Sequence, residues 1–383
     1  MAVSEVSDRS GLRRVVLVIP QLTPLGGTET QLSLLARELR ARNIDVKVLV
    51  LRRDGRHAET PHPAGVEVHH LGFVPLSPGP SALARNLRAC VSLLRLLRRL
   101  RPQVLHAFLY FGYVVGAPAA RLARVPVVVA SRRSQSFFKR RRRWVLAAER
   151  AATRITDHVV ANAVAVAEDT RAVERMPAHK LSVVYNGLPE SAFDAVTPED
   201  VDTSLPVVLC VANLLKVKGH RFLIDAAAVL SRQGRACTVV LIGEGPERGH
   251  LETQAAVLGV DVRFLGFRTD TAGFLARADV VVLPSLSEGL SNAVMEAMAA
   301  GRPIVATSVG GTPELLEGRG VLVPASSPSA LAEGVGRLLD DPELAAALGA
   351  AARAWARKNL DVAVMAEQHI NLYHRLLEAR CAG

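Results

Sequence analysis

Short apolar runs alternate with amphipathic stretches along nearly the whole chain. Runs with strand character fall at 14–20, 45–51, 66–70, 104–107, 127–130, 157–161 and 181–184. They resume at 207–212, 238–242, 262–265, 279–284, 304–307 and 320–323. Between many of them the spacing becomes helical; over 28–42 it sets Leu32, Leu35 and Leu39 on one face. Strand–helix–strand repetition predicts parallel sheets, because parallel strands need a crossover element between them. The repetition occurs twice, on either side of ESAFDAVTPEDVDTSLP, residues 190–206, whose polar, Pro- and Asp-containing character reads as a linker. The expected fold class is α/β, with an N-terminal domain over 1–189, a linker over 190–206 and a C-terminal domain over 207–365; residues 1–12 are expected to be disordered. Ligands of open parallel sheets bind beyond the strand C-termini, so functional residues are sought in the loops that follow strands.

Composition narrows the class. At 383 residues with 49% hydrophobic content, the chain can bury two full cores. Cys90, Cys210, Cys237 and Cys381 form no CxxC pair, which argues against a disulfide framework or a zinc site and for a reducing compartment. The polar start MAVSEVSDRSGLRR has no apolar core of a signal peptide. The longest uncharged run, Ala107 to Ala120, has 14 residues, short of the roughly 20 a membrane span needs, and is expected to be buried. The net charge of +11 is uneven: residues 1–190 hold 30 Lys/Arg against 14 Asp/Glu, and residues 191–383 hold 17 against 22. The basic first half is expected to meet an anionic partner that the second half does not.

The sharpest chemistry lies in SEGLSNAVMEAMAAG, residues 287–301. The apolar run DVVVLPS, 279–285, reads as a central strand, and Glu288 follows at its C-terminal end. Gly289 lets backbone approach a ligand, Ser291 or Asn292 can cap the next helix, and the helix N-terminus favours a phosphate. Glu296 sits among Ala293, Val294, Met295, Ala297 and Met298. A carboxylate in that setting needs a partner. Two neighbouring hydroxyls, such as a ribose cis-diol, would provide one; a buried arginine or a capping group would serve as well.

SLSEGLSNAVMEAMAAGRPIVATSVGGTPELL resembles the signature of retaining glycosyltransferases of family four, which have the GT-B fold. Glu288 and Glu296, with seven residues between them, match the two glutamates of that pattern, and the flanking Gly289, Ala297, Met298, Gly301, Pro303, Gly310 and Gly311 match as well; Leu290 and Ser291 join the expected donor-binding residues. The resemblance covers roughly residues 14–380. It implies two Rossmann-like domains with parallel sheets facing a central cleft, and a C-terminal helix, 366–380, that crosses back to the N-terminal domain. It also implies that Glu288 contacts the donor sugar and Glu296 the donor ribose. VVLCVANLLKVKGHRFLIDA resembles the segment that binds the donor diphosphate, with Lys218 at the phosphate-binding lysine. Where the family often carries arginine this chain has Asn213 or Leu215, and Lys216 is the nearest substitute cation. VRFLGF, within 262–267, is expected beside the nucleotide base.

In the first half, PQLTPLGGTETQ joins a strand to a helix. Gly26 and Gly27 suit either a tight turn or backbone amides facing the site, and the resemblance places this loop and Glu29 near donor and acceptor. His106 follows an apolar strand and completes the candidate catalytic set with Glu288 and Lys218, although a lone histidine there equally suits a core role. No histidine base is assigned, since Phe108 occupies a position where some relatives carry one. The departing diphosphate can itself accept the proton in retaining transfer of this type. Lys139, Arg140, Arg141, Arg142 and Arg143, flanked by aromatic residues and preceded by Arg132 and Arg133, are expected to be either a solvated helix start or a contact for an anionic membrane surface; Arg85, Arg88, Arg95 and Arg99 add to that side. Asp200-x-Asp202 lies in the linker and is read as surface acids. The expected partners are a nucleotide-sugar donor and a glycan or lipid-linked acceptor, with no cofactor, no metal and no nucleic acid. The expected location is cytoplasmic, peripheral on the inner face of the membrane. A nucleotide-sugar epimerase of similar fold and a non-catalytic nucleotide-sugar binder are the alternatives.

Overall fold

A computed structural model describes residues 11–23, 26–52, 65–75, 80–136 and 143–381. It contains two units, each with its own parallel sheet. The first unit runs to Asn162 and includes Ala167–Val184 and the chain from Val362 onward; the second comprises Ala163–Val166 and Tyr185–Asp361.

Within the first unit the order is β1 (Arg14–Ile19), α1 (Gly27–Ala41), β2 (Asp45–Arg52), β3 (Glu67–Phe73), α2 (Pro80–Leu100), β4 (Val104–Phe108), α3 (Leu109–Leu122), β5 (Val127–Arg132), α4 (Arg143–Arg154), β6 (His158–Ala161), α5 (Val164–Glu174) and β7 (Leu181–Val183). The seven strands are arranged β3-β2-β1-β4-β5-β6-β7. The central strands are covered on both sides, so they read as continuous apolar runs rather than as alternation. Val15, Leu17 and Ile19 pack against Leu32, Leu35 and Leu39 of α1, while Val16 and Val18 pack against α2 and α3 through Leu93, Leu97, Tyr113 and Ala117. The uncharged run near 107–120 is thus a buried crossover helix, and among the described residues no helix is long and apolar enough to cross a membrane.

The second unit follows β8 (Val207–Val211), α6 (His220–Arg232), β9 (Thr238–Ile242), α7 (Arg248–Leu258), β10 (Val262–Phe264), α8 (Thr271–Arg277), β11 (Val280–Leu283), α9 (Asn292–Ala299), β12 (Ile304–Thr307), α10 (Thr312–Leu316), β13 (Val321–Val323), α11 (Pro328–Asp340) and α12 (Pro342–Asn359). Its sheet order is β10-β9-β8-β11-β12-β13. Each expected strand is present and both sheets are parallel in every pairing, as the repeated strand–helix pattern requires.

One segment sits differently from a reading by composition. The polar stretch 190–206 packs on the second unit: Phe193 and Val201 are buried, Arg353 donates to the Phe193 carbonyl, and the Glu199 amide bonds the Gly273 carbonyl at 2.9 Å. Two apolar anchors are enough to seat an otherwise polar chain. The last helix, α13 (Val362–Cys381), belongs to the first unit, where Met365, Ala366, Leu372 and Tyr373 join the core beside α1.

Candidate functional site

In the second sheet the strand order reverses between β8 and β11, the place where doubly wound sheets open a ligand crevice beyond the strand ends. The loops that leave these two strands carry Lys218 and Glu288. Backbone ties them together, with the Leu286 amide donating to the Val217 carbonyl at 2.7 Å. Lys218 Nζ lies 2.6 Å from Glu288 Oε1, and the Ser285 hydroxyl donates to the same oxygen at 2.7 Å. Glu288 is 9% exposed, so the pair is largely withdrawn from water, while Lys218 keeps one side open.

Gly219 makes this turn possible. Its φ is +68°, and a Cβ there would lie 2.1 Å from the Pro284 carbonyl oxygen. An L side chain would break the approach of the two loops. The same glycine precedes α6, so Lys218 stands at the positive end of a helix. Gly310, at φ +53°, plays the corresponding part under Glu288: a Cβ there would meet the Glu288 carbonyl at 2.1 Å.

Ser291 caps α9, accepting from the Val294 amide at 3.4 Å. Asn186 braces the same loop, its Nδ2 donating to Asn292 Oδ1 at 2.8 Å. Gly289 accepts from the Gly311 amide at 2.7 Å, and Leu290 is buried. Glu296 lies farther along α9. Among the described residues its carboxylate has no hydrogen-bond or ion-pair partner, and burial pushes its carboxyl up to about 7. Among the described residues no buried arginine pairs with Glu296.

Asn213 is half-buried and Lys216 is exposed in the turn before Lys218. His220, the first residue of α6, is 2% exposed and held down to about 4 by burial and by the neighbouring Lys218 charge. Asp200 and Asp202 are both exposed, and no group of three or more potential metal ligands occurs among the described residues.

In the first unit, Gly26 and Gly27 begin α1, and Glu29 folds back beneath Gly26. A Cβ on Gly26 would lie 1.9 Å from a Glu29 carboxylate oxygen, so the glycine leaves room for the acid. Burial raises the Glu29 carboxyl, opposed by hydrogen bonds from its backbone and Thr23 and by the Arg133 charge. His106 is a core residue. It is fully buried, with Nδ1 2.7 Å from the Tyr373 hydroxyl and Nε2 2.8 Å from the Ser131 hydroxyl. Both ring nitrogens are thus occupied, which leaves neither for a substrate and holds the ring well below its ordinary pKa by burial. Arg132, expected with the surface cations, is instead fully buried: Glu174 accepts from it at 2.8 and 2.9 Å, and the Tyr113 ring lies 3.8 Å from its guanidinium carbon. The run Lys139, Arg140, Arg141 and Arg142, and the side chain of Arg143, lie outside the described residues.

Ser285 and Asn186 are the site residues that sequence reading passed over. Ser285 carried one signal, a hydroxyl ending an otherwise apolar strand segment; Asn186 suits a turn into the linker, and its bracing contact was hidden because its partner is 106 positions away.

Comparison with known proteins follows this geometry. A family profile described as Glycosyltransferase Family 4 matches residues 25–191, and one described as Glycosyl transferases group 1 matches residues 205–341. Alpha-D-kanosaminyltransferase of Streptomyces kanamyceticus is 39% identical over 145 residues, 36% of this chain and 38% of that protein. GDP-mannose-dependent alpha-(1-6)-phosphatidylinositol monomannoside mannosyltransferase of Mycolicibacterium smegmatis is 37% identical over 167 residues, 40% of this chain and 44% of that protein. These matches span less than half of each relative. The crystal structure of Anabaena HepE in complex with UDP superposes with a TM-score of 0.81 at 23% identity, covering 94% of this chain and all of that one. At that identity the likeness establishes the fold.

Proposed function

Because this chain belongs to the family-four glycosyltransferases of the GT-B fold, we propose that it transfers a sugar from a nucleotide-diphosphate sugar to a hydroxyl acceptor with retention of configuration. One observation carries the reading: Glu296, half-buried on α9 and without a hydrogen-bond or ion-pair partner among the described residues, is an acceptor waiting for two hydroxyls. A ribose cis-diol supplies them. Glu288 then stands where the donor sugar's hydroxyls arrive, and Lys218 meets the diphosphate.

In the reaction, the anomeric C–O bond to the diphosphate breaks and a bond to the acceptor oxygen forms on the same face. The acceptor proton passes to the departing phosphate oxygen. Lys218 and the amides that open α6 offset the charge building on that phosphate. Nothing in this scheme requires a histidine base or a metal ion. The mycobacterial relative, by its name, uses GDP-mannose and a phosphatidylinositol mannoside, which supports a nucleotide-diphosphate donor and favours a lipid-linked or polysaccharide acceptor. An anionic membrane surface would suit such an acceptor: α2 exposes Leu83, Leu87 and Val91 beside Arg85, Arg88 and Arg95.

Calorimetry with UDP, GDP and their sugars tests the donor assignment. Glu296→Ala should bind the preferred nucleotide sugar about tenfold or more weakly, since hydrogen bonds to a charged group are each worth about 1.5–3 kcal/mol. Equal affinity in a folded variant removes the ribose assignment. Nucleotide release from that donor should require a glycan or lipid extract; conversion of the sugar without an acceptor points to an epimerase, and no turnover with any donor to a binder.

A further inference from the structure

Away from the loops that follow strands, the opposite edge of the first sheet carries a cleft of about 670 Å³ that opens to solvent. Its walls come from the segments entering β5, β6 and β7 and from the end of α13. Five cations line it, Arg121, Arg124, Arg154, Lys180 and Arg380, against the single carboxylate of Asp157. That carboxylate is already engaged: Arg121 reaches it at 2.8 Å, Arg380 at 2.5 Å, and the Val128 amide donates to it at 2.7 Å. Arg124, Arg154 and Lys180 pair with no carboxylate among the described residues. A second hollow of about 260 Å³ adjoins it, sharing Arg154 and Lys180 and adding Arg150 and Arg175 together with Glu174, whose carboxylate already accepts from Arg132.

Cations at helix C-termini gain from the helix dipole without any ligand. That accounts for Arg121 on α3 and Arg154 on α4, each in the last turn of its helix. It does not account for Lys180, which precedes a strand, nor for the convergence of four chain segments on one concavity. Arg124 and Arg175 sharpen the point. Both are left-handed, at φ +60° and +56°, just past the ends of α3 and α5, where glycine would sit without strain. The chain holds long cations there instead, and like charges crowded in a concave surface repel one another unless an anion joins them.

We propose that this cleft is a binding site for clustered phosphate groups, separate from the donor site of the second unit. Guanidinium forks match phosphate oxygens two at a time, and the two joined hollows suit an ion with more than one phosphate. The phosphates have two available sources. One is a soluble polyphosphate. The other is the headgroup layer of an anionic membrane, for which Leu122, 65% exposed, and Ile155, 37% exposed, provide an apolar rim.

The test uses the full chain carrying Lys218→Ala, which silences the proposed phosphate contact in the second unit. Tripolyphosphate is titrated by calorimetry at fixed ionic strength, and co-sedimentation is measured with phosphatidylglycerol-containing and pure phosphatidylcholine vesicles. Arg124→Glu/Arg154→Glu should weaken binding at least tenfold, whereas the equally charge-changed pair Arg37→Glu/Arg337→Glu on exposed faces of α1 and α11 should not. Arg124→Ala/Arg154→Ala is the milder variant if the glutamates prevent folding, and thermal melts verify that each protein is folded. Binding of tripolyphosphate alone assigns a soluble ligand, and binding of anionic vesicles alone assigns a headgroup; both support the site. No binding of either probe, or equal losses in the two charge-reversed pairs, overturns it.

Discussion

Glu296 and Glu288 are eight positions apart and live in opposite electrostatic circumstances. Glu288 has Lys218 and Ser285 on one oxygen, so its charge is balanced within the fold. Glu296 has apolar neighbours and an elevated pKa of about 7. In the unfolded chain its carboxyl titrates near 4.5, so the folded protein holds an extra proton between those two values. Stability from this residue is full below about 4.5 and is lost as pH rises through about 7. Glu296→Gln should therefore melt higher than the parent at pH 8, by on the order of 2 kcal/mol after allowance for residual exposure, and level with it at pH 4. Paired thermal melts at the two pH values check this; an equal difference at both would mean the side chain is not the titrating group. Sequence alone flagged the acid, because a lone charge in an apolar helix is visible locally. That no described cation pairs with it was not, because such a partner could have come from any distant segment.

At the level of elements, the strands were legible because central parallel strands, covered on both faces, are continuous apolar runs whatever their order in the sheet. The partnership between β4 and α13 shows what such patterns leave out. His106 ends its search for hydrogen bonds at Tyr373, 267 positions later, and at Ser131 on the neighbouring strand. The candidate catalytic histidine is thereby a rivet between sheet and final helix. Tyr373→Phe should leave Nδ1 buried without a partner and cost about 1–3 kcal/mol, read as a lower urea midpoint with an unchanged slope. Unaltered stability would show that the hydroxyl contributes nothing there. The stretch 190–206 is a comparable case: its polar average concealed Phe193 and Val201, and two buried side chains outweigh a hydrophilic mean when they meet a waiting apolar surface.

For the molecule as a whole, the first unit is built from both ends of the chain. Met365, Leu372 and Tyr373 share one core with Leu32, Leu35 and Leu39. Fully burying each large apolar side chain is worth about 1.5–3 kcal/mol, and a domain's net stability is only about 5–15 kcal/mol. Deleting residues 362–383 should thus lower or abolish the cooperative melting of the first unit while nucleotide binding by the second persists. Scanning calorimetry of the truncated chain, with nucleotide titration alongside, decides the matter; full-length melting behaviour would mean that α13 is dispensable to that core.

The amino-acid sequence by itself determined two parallel sheets, and it singled out Lys218 and Glu288 in loops that follow strands and Glu296 in the helix after them. Each of these depends on local periodicity or on the chemistry of near neighbours, which a linear pattern records. Tertiary structure decided that Lys218 meets Glu288 at 2.6 Å, that His106 is spent inside the core, and that scattered arginines converge on a cleft. Those outcomes depend on strand order and on which helix covers which face. Contacts between residues tens or hundreds of positions apart follow from that packing, and no run of adjacent side chains encodes them.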